Sequence, residues 1–231
     1  MSPERKHCFE AARRLVVKVG SNVLTETNGL NLKAIRSISR QVCTLIRRGM
    51  EVILVSSGAM ASGIRRLELP GRPDEVPKRQ AVAAVGQTGL MREYEKAFAA
   101  QQKKVAQILL TSDDLANRKR YLNARNTLNT LLNWQVVPII NENDTVMVEE
   151  IQFGDNDTLA SMITLLMDAD LLVNLTDIDG LYDAVEPFQC RTERVAGHAC
   201  AQVGFRPADG RGVGEHPLQR RLQPSCAARR R

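Results

Sequence analysis

The sequence predicts an α/β fold, in which helices cover both faces of a mainly parallel β-sheet to form a three-layer α/β/α sandwich. Short segments that are apolar along their whole length indicate strands buried on both faces. Longer segments between them carry apolar residues at helical spacing, and this alternation is typical of a parallel sheet. Most of the strand candidates also end at Gly, Ser, Asn or Asp residues, which favour the turns that follow.

Five segments have the length and composition of buried strands. They are rich in Val, Ile and Leu, with polar or turn-forming residues after them. The sequence shows no internal repeat that would divide the strands into separate copies of a smaller unit. The predicted strands are Arg14–Val19, Glu51–Val55, Val105–Leu110, Val136–Ile140 and Leu171–Leu175.

The helices are predicted from the spacing of apolar residues and from their flanking caps. Leu32–Arg48 has its apolar residues on one face, with Asn31 as a suitable N-cap and Gly49 as a stop. A second helix is expected to begin within Ser56–Ala59, directly after the second strand.

The remaining helices follow a proline-rich loop. The long helix Lys78–Gln102 contains Gly86 and Gly89, which predict either a kink or close packing. A short helix is expected to begin with Ser112 or Asp113 as its cap. The last two predicted helices are Tyr121–Trp134 and Thr158–Met167.

Composition places the chain among globular proteins without a membrane span. Hydrophobic residues make up 43% of the 231 residues. No apolar run approaches the roughly 20 residues that a membrane helix needs, and the charged N-terminus lacks a signal-peptide core. The five cysteines show no metal-ligand spacing, so a reduced, cytoplasmic protein without a protein-bound metal site is expected.

The net charge of +6 is concentrated in the last part of the chain. Residues 184–231 contain nine Arg, no Lys and four acidic residues, so this part carries a net charge of +5. Residues 1–183 therefore carry a net charge of only +1. The basic isoelectric point consequently gives no reason to expect that the main body binds nucleic acid.

Polar residues cluster where the predicted strands end. In a parallel sheet these ends meet at one edge and form a single crevice, where open α/β folds bind ligands. Glycines there allow close approach of backbone N–H groups to an anion, and a lysine supplies a point charge suited to a phosphoryl oxygen. The segments are Lys18–Ser21, Ser56–Gly58, Asn141–Asp144 and Thr176–Asp177, joined by Gly154–Asp157 before the last predicted helix.

Each of these signals also has a structural interpretation. Lys18 could be a surface side chain, and Ser57 with its neighbouring glycine could form only a turn and a helix cap. Asp155 and Asp157 are ordinary residues for a helix start. The Gly86–Gly89 segment (GQTG) favours packing over binding, and the P-loop pattern is absent from the sequence.

A series of motifs resembles the glutamate 5-kinase branch of the amino acid kinase family. The resemblance runs in unbroken order from about Arg13 to Asp183, and the INEND and GDND segments are its most specific parts. The motifs are VVKVGS (Val16–Ser21), VSSGAMASG (Val55–Gly63), AAVGQTGLM (Ala83–Met91), YLNARNTL (Tyr121–Leu128), VPIINENDTV (Val137–Val146), FGDNDTLA (Phe153–Ala160) and LTDIDGLYD (Leu175–Asp183).

The resemblance implies a role for each matching residue. Lys18 would hold and neutralise the transferred phosphoryl group, and Asp157 would orient the catalytic lysines. The groups that would hold the substrate are Ser57, Asn141, Asp144, Asp155 and Asn156. ATP would be held by Lys18, Gly20, Ser21, Thr176 and Asp177.

The implied reaction is the ATP-dependent phosphorylation of the γ-carboxylate of L-glutamate, the first step of proline biosynthesis. Mg²⁺ would arrive with ATP, bridging its phosphates. The substrate carboxylate is already ionised and needs no general base. The resemblance also implies proline as a feedback inhibitor and a homo-oligomeric assembly. Hydropathy and the charge distribution, in turn, predict no membrane or nucleic-acid partner.

The resemblance divides the chain into an amino acid kinase portion, residues 1–183, and a basic tail, residues 184–231. Because the tail lacks Lys, Ile, Met, Trp and Tyr, we predict that it is either out of frame or disordered. The C-terminal part of the fold would then be incomplete, with the edge of the Leu171–Leu175 strand uncovered. Weak or absent kinase activity would follow.

Three other interpretations remain open. The chain could be another member of the family, such as an acetylglutamate, carbamate or uridylate kinase. It could also be a non-catalytic protein that binds glutamate or proline. Finally, the arginine-rich tail could bind nucleic acid, with a steep dependence on salt.

Overall fold

The computed structural model describes residues 11–26, 29–146 and 156–176, together with the backbone of residues 193–195 and 198–204. Strands and helices alternate along the first two thirds of the chain. The strands are β1 (Arg14–Val19), β2 (Thr25–Glu26), β3 (Gly29–Leu30), β4 (Glu51–Ser56), β5 (Val105–Leu110), β6 (Val137–Glu142), β7 (Leu171–Thr176), β8 (Glu193–Val195) and β9 (His198–Gly204).

Within the described residues, seven of these strands form one sheet in the order β5-β6-β4-β1-β7-β9-β8. Every neighbouring pair is parallel except β8 and β9, which are antiparallel. The strands β2 and β3 form a separate antiparallel hairpin. The prediction of a mainly parallel sheet is confirmed, and β1 lies near its centre between β4 and β7.

The helices lie on both faces of this sheet. They are α1 (Ser21–Leu24), α2 (Leu32–Arg47), α3 (Ala59–Arg66), α4 (Val76–Ala99), α5 (Ser112–Ala116), α6 (Arg118–Asn133) and α7 (Asn156–Leu166), with a 3-10 turn at Asp144–Val146. No helix in the described part of the chain is long and apolar enough to cross a bilayer.

Two hydrophobic clusters, one on each face of the sheet, make the three layers. Alternate residues of a strand point to opposite faces, so β1 sends Val17 into one cluster and Val16 into the other. The first cluster includes Ile35 of α2 and Tyr94 of α4. The second includes Ile163 of α7. The predicted three-layer α/β/α arrangement is therefore confirmed.

The helices α3 and α4 cross with almost no space between their backbones. A Cβ atom added at Gly86 would overlap the carbonyl oxygen of Ala59, and one added at Gly63 would overlap the carbonyl oxygen of Val82. A Cβ atom at Gly89 would lie 2.6 Å from Oγ of Ser62. Of the two predicted explanations for the glycines in the long helix, close packing is what the structure shows.

The starts of α4, α5, α6 and α7 differ from the prediction, and capping explains the differences at α5 and α6. The cap of α5 is Thr111 rather than Ser112 or Asp113, since its hydroxyl accepts from the Asp114 N–H while the Asp114 carboxylate accepts from the Thr111 N–H. This reciprocal pair satisfies two backbone donors, which neither predicted cap would do. The helix α6 begins at Arg118 because Asn117 caps it.

The edge of β7 is covered, which corrects the prediction that it would be open. The strand β9 pairs with β7 in parallel register, and Leu171 lies opposite Ala199. The backbone hydrogen bonds of β7 are therefore used on both sides. Whether residues 184–231 are an out-of-frame product stays a prediction.

Candidate active site

Lys18 lies near the carboxyl end of β1 and is almost completely buried. The alternation of the strand places it on the same face as Val16, toward α7. Its side chain is 9% exposed, and its Nζ lies 2.7 Å from Oδ1 of Asp157, whose side chain is 43% exposed. The interpretation of Lys18 as a surface side chain is wrong, because the side chain is buried. A buried ammonium requires an opposite charge nearby, and Asp157 provides it.

Asn156 is the first residue of α7, and its amide joins the ends of the two strands β4 and β6. Its Nδ2 lies 2.7 Å from Oγ of Ser57, 3.1 Å from Oδ1 of Asn141 and 3.2 Å from the carbonyl oxygen of Ser56. Because Asp157 follows it directly, the start of α7 holds both the partner of Lys18 and this amide junction. The ends of β1, β4 and β6 were predicted to converge, and in the structure their side chains meet at the start of α7 in a single cluster.

Ser57 serves both as a turn residue and as part of this cluster. Its N–H donates to the carbonyl oxygen of Val19 at 3.3 Å, which ties the end of β4 to the end of β1. The next residue, Gly58, has a φ of 101° and forms the N-terminal boundary of α3. A side chain is strained in that left-handed conformation, so glycine is favoured there. The turn interpretation and the binding interpretation of this segment are therefore compatible.

A buried tyrosine supports the end of β4 from the opposite layer. The hydroxyl of Tyr94 in α4 lies 3.0 Å from Oγ of Ser56. Burial raises the pKa of Tyr94 to about 12, although the hydrogen bond to Ser56 acts in the other direction. The hydroxyl therefore stays protonated and can hold the residue that precedes Ser57.

The backbone N–H of Gly20, which was predicted to approach an anion, makes a hydrogen bond within the sheet instead. This N–H donates to the carbonyl oxygen of Leu175 at 3.0 Å, so this donor joins β1 to β7 and is not available to an anion. A Cβ atom at Gly20 would lie 3.3 Å from the carbonyl oxygen of Leu175 and 3.9 Å from Nζ of Lys18, so glycine allows the backbone to pass close to both. Ser21 begins α1 and is exposed.

The structure describes two of the four remaining predicted site residues, Asp144 and Thr176. Asp144 begins the 3-10 turn after β6, and burial raises the pKa of its carboxyl group, while the positive charge of Arg72 partly offsets that effect. Thr176 is the last residue of β7, two positions beyond Asn174, which pairs with Lys18 across the sheet. Asp155 and Asp177 lie outside the described residues.

A model of the amino acid kinase family matches residues 13–189. The chain belongs to the amino acid kinase family.

Curated relatives in this family are named glutamate 5-kinase. The protein of Syntrophotalea carbinolica is 56% identical over 180 residues, which cover 78% of this chain and 48% of that protein. The protein of Geobacter metallireducens is 50% identical over 214 residues, covering 87% of this chain and 57% of that protein. The protein of Carboxydothermus hydrogenoformans is 58% identical over 181 residues, which cover 78% of this chain and 49% of that protein. The chain spans about half the length of the curated relatives it matches.

Gln87 belongs to the cluster but was not predicted as a site residue. Its Oε1 accepts from Nδ2 of Asn141 at 2.9 Å, and the residue is only 8% exposed. The sequence did contain a signal, because Gln87 follows Ala83 by four positions and precedes Leu90 by three, on the buried face of α4. A polar side chain on that apolar face needs hydrogen-bond partners inside the protein.

The acidic residues that the structure describes do not gather into a metal site. Among the side chains that the structure describes, no three His, Cys, Asp or Glu residues come together as possible metal ligands. The charged groups of the described site are instead the Lys18–Asp157 pair and the half-buried Asp144. This donor set fits a cation that is carried into the site by a phosphate ligand.

Proposed function

We propose that this chain carries the glutamate-binding site and the phosphate-binding lysine of a glutamate 5-kinase. The reaction would transfer the γ-phosphoryl group of ATP to the γ-carboxylate of L-glutamate, which gives glutamyl 5-phosphate and ADP. Support comes from the relatives of that name and from the agreement between the site and that chemistry.

One observation carries the proposal: two consecutive residues of α7 serve the two halves of the site. Asp157 holds the ammonium of Lys18 at 2.7 Å, and Asn156 holds Ser57 and Asn141 at 2.7 and 3.1 Å. A phosphoryl group beside Lys18 and an amino acid beside the amides would therefore be neighbours. Phosphoryl transfer depends mainly on such positioning and on charge stabilisation.

In this mechanism the γ-carboxylate of glutamate is the nucleophile. One of its oxygens forms a bond to the γ-phosphorus of ATP, and the bond between that phosphorus and the bridging oxygen breaks, leaving ADP. The ammonium of Lys18 stabilises the negative charge on the transferred phosphoryl oxygens, and Asp157 keeps it in place. Asp144 supplies a negative charge suited to the substrate ammonium. Mg²⁺ bound to the ATP phosphates would neutralise further charge there.

Calorimetry and a turnover assay test the proposal. We expect the purified chain to bind L-glutamate, and to bind N-acetylglutamate at least about tenfold more weakly. In the presence of MgATP, glutamyl phosphate is trapped with hydroxylamine as the hydroxamate. Binding of glutamate without turnover would favour a glutamate-binding protein, and preference for N-acetylglutamate or carbamate would favour another member of the family.

Three finer parts of the proposal follow from the resemblance and, for the location, from the composition. They are inhibition by proline, assembly into a homo-oligomer and a cytoplasmic location. Displacement of glutamate by proline in the calorimeter tests the first, and light scattering tests the second. Fractionation of cells that express the chain tests the third.

A further inference from the structure

Three side-chain amides in the active site form a continuous chain, and each of its two ends is an atom without a partner among the described residues. Asn156 donates to Asn141 at 3.1 Å, and Asn141 donates to Gln87 at 2.9 Å. Within the described part of the molecule, Oδ1 of Asn156 and Nε2 of Gln87 are buried and have no hydrogen-bond partner. Buried polar atoms are rarely left in this state, because each costs about 1–3 kcal/mol.

The direction of this amide chain is fixed by a backbone carbonyl. The carbonyl oxygen of Ser56, 3.2 Å from Nδ2 of Asn156, can only accept a hydrogen bond. Asn156 must therefore turn its NH₂ group inward, so that Asn141 accepts with Oδ1 and donates with Nδ2 to Oε1 of Gln87. An acceptor oxygen is left at the Asn156 end and a donor N–H at the Gln87 end.

One end accepts and the other donates hydrogen bonds, and the two charged groups on the α-carbon of an amino acid have the complementary character. An ammonium group donates hydrogen bonds and suits Oδ1 of Asn156, whereas a carboxylate accepts them and suits Nε2 of Gln87. The half-buried Asp144, three positions after Asn141, is assigned to the substrate by the resemblance and would add a negative charge for the same ammonium. An acylated amine keeps a single N–H and loses its charge, so it would suit the acceptor end poorly.

The helix packing explains how a residue in the middle of α4 reaches the site. Because Gly86 has no side chain, α4 lies directly against α3 at this point. The neighbouring Gln87 can then span the distance to Asn141 at the end of β6. A helix held further from α3 would not bring this amide to the end of the strand.

We propose that Gln87 binds the α-carboxylate of the amino acid substrate, and that the chain of three amides selects a ligand with both a free amine and a free α-carboxylate. This inference rests on the proposed function, since it takes glutamate as the ligand. It adds a residue that determines substrate specificity, and it assigns a separate group of the ligand to each end of the amide chain.

Gln87→Glu tests the inference, because it keeps an acceptor for Asn141 and replaces the donor N–H with a negatively charged oxygen. We expect this variant to bind L-glutamate at least about 30-fold more weakly in calorimetry, and Gln87→Met about tenfold more weakly. Gln41→Glu makes the same chemical change on an exposed face of α2 and should change the affinity less than twofold. Melting temperatures measured for all variants show which of them are folded.

The ligand 4-aminobutyrate separates a contact with the α-carboxylate from a general structural effect, because it is glutamate without that group. We expect both Gln87 variants to bind it as the wild type does, within about threefold. An equal loss for the two ligands, or no loss of glutamate affinity in either folded variant, would overturn the inference alone. A wild-type chain that binds no glutamate would overturn the proposed function and the inference together.

Discussion

At the scale of single residues, the buried Lys18 is the most informative charge in the molecule. An ammonium near the centre of a parallel sheet loses its hydration and is tolerated only with a counter-charge such as Asp157 at 2.7 Å. A lysine serving the fold alone would be better replaced by an apolar residue of similar size. Its presence here agrees with a function for the charge itself, such as the proposed binding of a phosphoryl group.

Lys18→Met should therefore abolish turnover while leaving the fold and the amino acid site intact. We expect turnover to fall about 100-fold or more, as it does when a group that stabilises transition-state charge is removed. The affinity for glutamate should stay within about threefold, since Lys18 contacts Asp157 rather than the amide cluster. Hydroxamate formation and calorimetry measure these two quantities. The control is Lys33→Met on the exposed side of α2, and a Lys18 variant with more than a tenth of wild-type turnover would contradict the assignment.

Asp144 should make glutamate binding sensitive to pH. Burial raises the pKa of this carboxyl group above 3.8, so on acidification it takes up a proton at a higher pH than an ordinary aspartate does. Once neutral, it no longer attracts the substrate ammonium. Asp144→Asn should bind glutamate about tenfold more weakly than wild type at pH 7, and the ratio of the two affinities should shrink as the pH is lowered. A ratio that stays constant between pH 7 and pH 4 would argue against this role.

At the scale of elements, the contact between α3 and α4 connects the packing of the protein with its site. Gly86→Ala would force a methyl group into the backbone of α3, and we expect a loss of about 3 kcal/mol or more in the free energy of unfolding. Gly89→Ala should cost about 1 kcal/mol, because the nearest atoms belong to the side chains of Ser62 and Arg66. Urea denaturation measures both values.

The matched control for these variants is Gly71→Ala, since no atom lies within 4 Å of a Cβ atom added there. That change should leave stability within about 0.5 kcal/mol. Equal effects of the three substitutions would show that the two helices are not in close contact at Gly86. The route by which Gln87 reaches Asn141 would then need another explanation.

The cap of α5 gives a second prediction for an element. Thr111→Ala should lower the free energy of unfolding by about 1 kcal/mol, whereas Ser112→Ala should have almost no effect. Hydrogen bonds from Thr111, together with Arg120, lower the pKa of Asp114 even though burial acts to raise it. The stabilisation is therefore present above the unfolded pKa and is lost as the pH falls through the lowered value. Denaturation at pH 7 and pH 3 checks both effects, and equal losses for the two variants would contradict the assigned cap.

At the scale of the whole molecule, the pairing of β9 with β7 determines how the sheet ends. Backbone amides in a paired strand exchange slowly because the strand must open first. We expect average exchange in His198–Gly204 to be at least about 100-fold slower than in an unstructured peptide, as in Leu171–Thr176. Mass spectrometry of peptic fragments measures this directly. Exchange of His198–Gly204 at the rate of an unstructured chain would restore the earlier prediction of an open edge at β7.

Much of the architecture was predictable because strand and helix periods are local properties. The five apolar segments became β1, β4, β5, β6 and β7 with small changes at their ends. Their order in the sheet was not predictable, since it depends on which strands pack together. The hydrogen bond from the Gly20 N–H to the carbonyl oxygen of Leu175 was not predicted for the same reason. The strand that neighbours β1 on that side, β7, comes from a distant part of the chain.

The sequence by itself determined the residue types at the strand ends and the faces to which alternate residues of each strand point. Those faces follow from backbone geometry, so Lys18 had to lie on the side of Val16. Only the tertiary structure decided that Gln87, Asn141 and Asn156 form one chain of amides, because the three residues come from α4, β6 and α7. The physical reason is packing: hydrogen bonds between side chains exist only where separate elements are brought within about 3 Å, and the crossing at Gly86 brings α4 to the site.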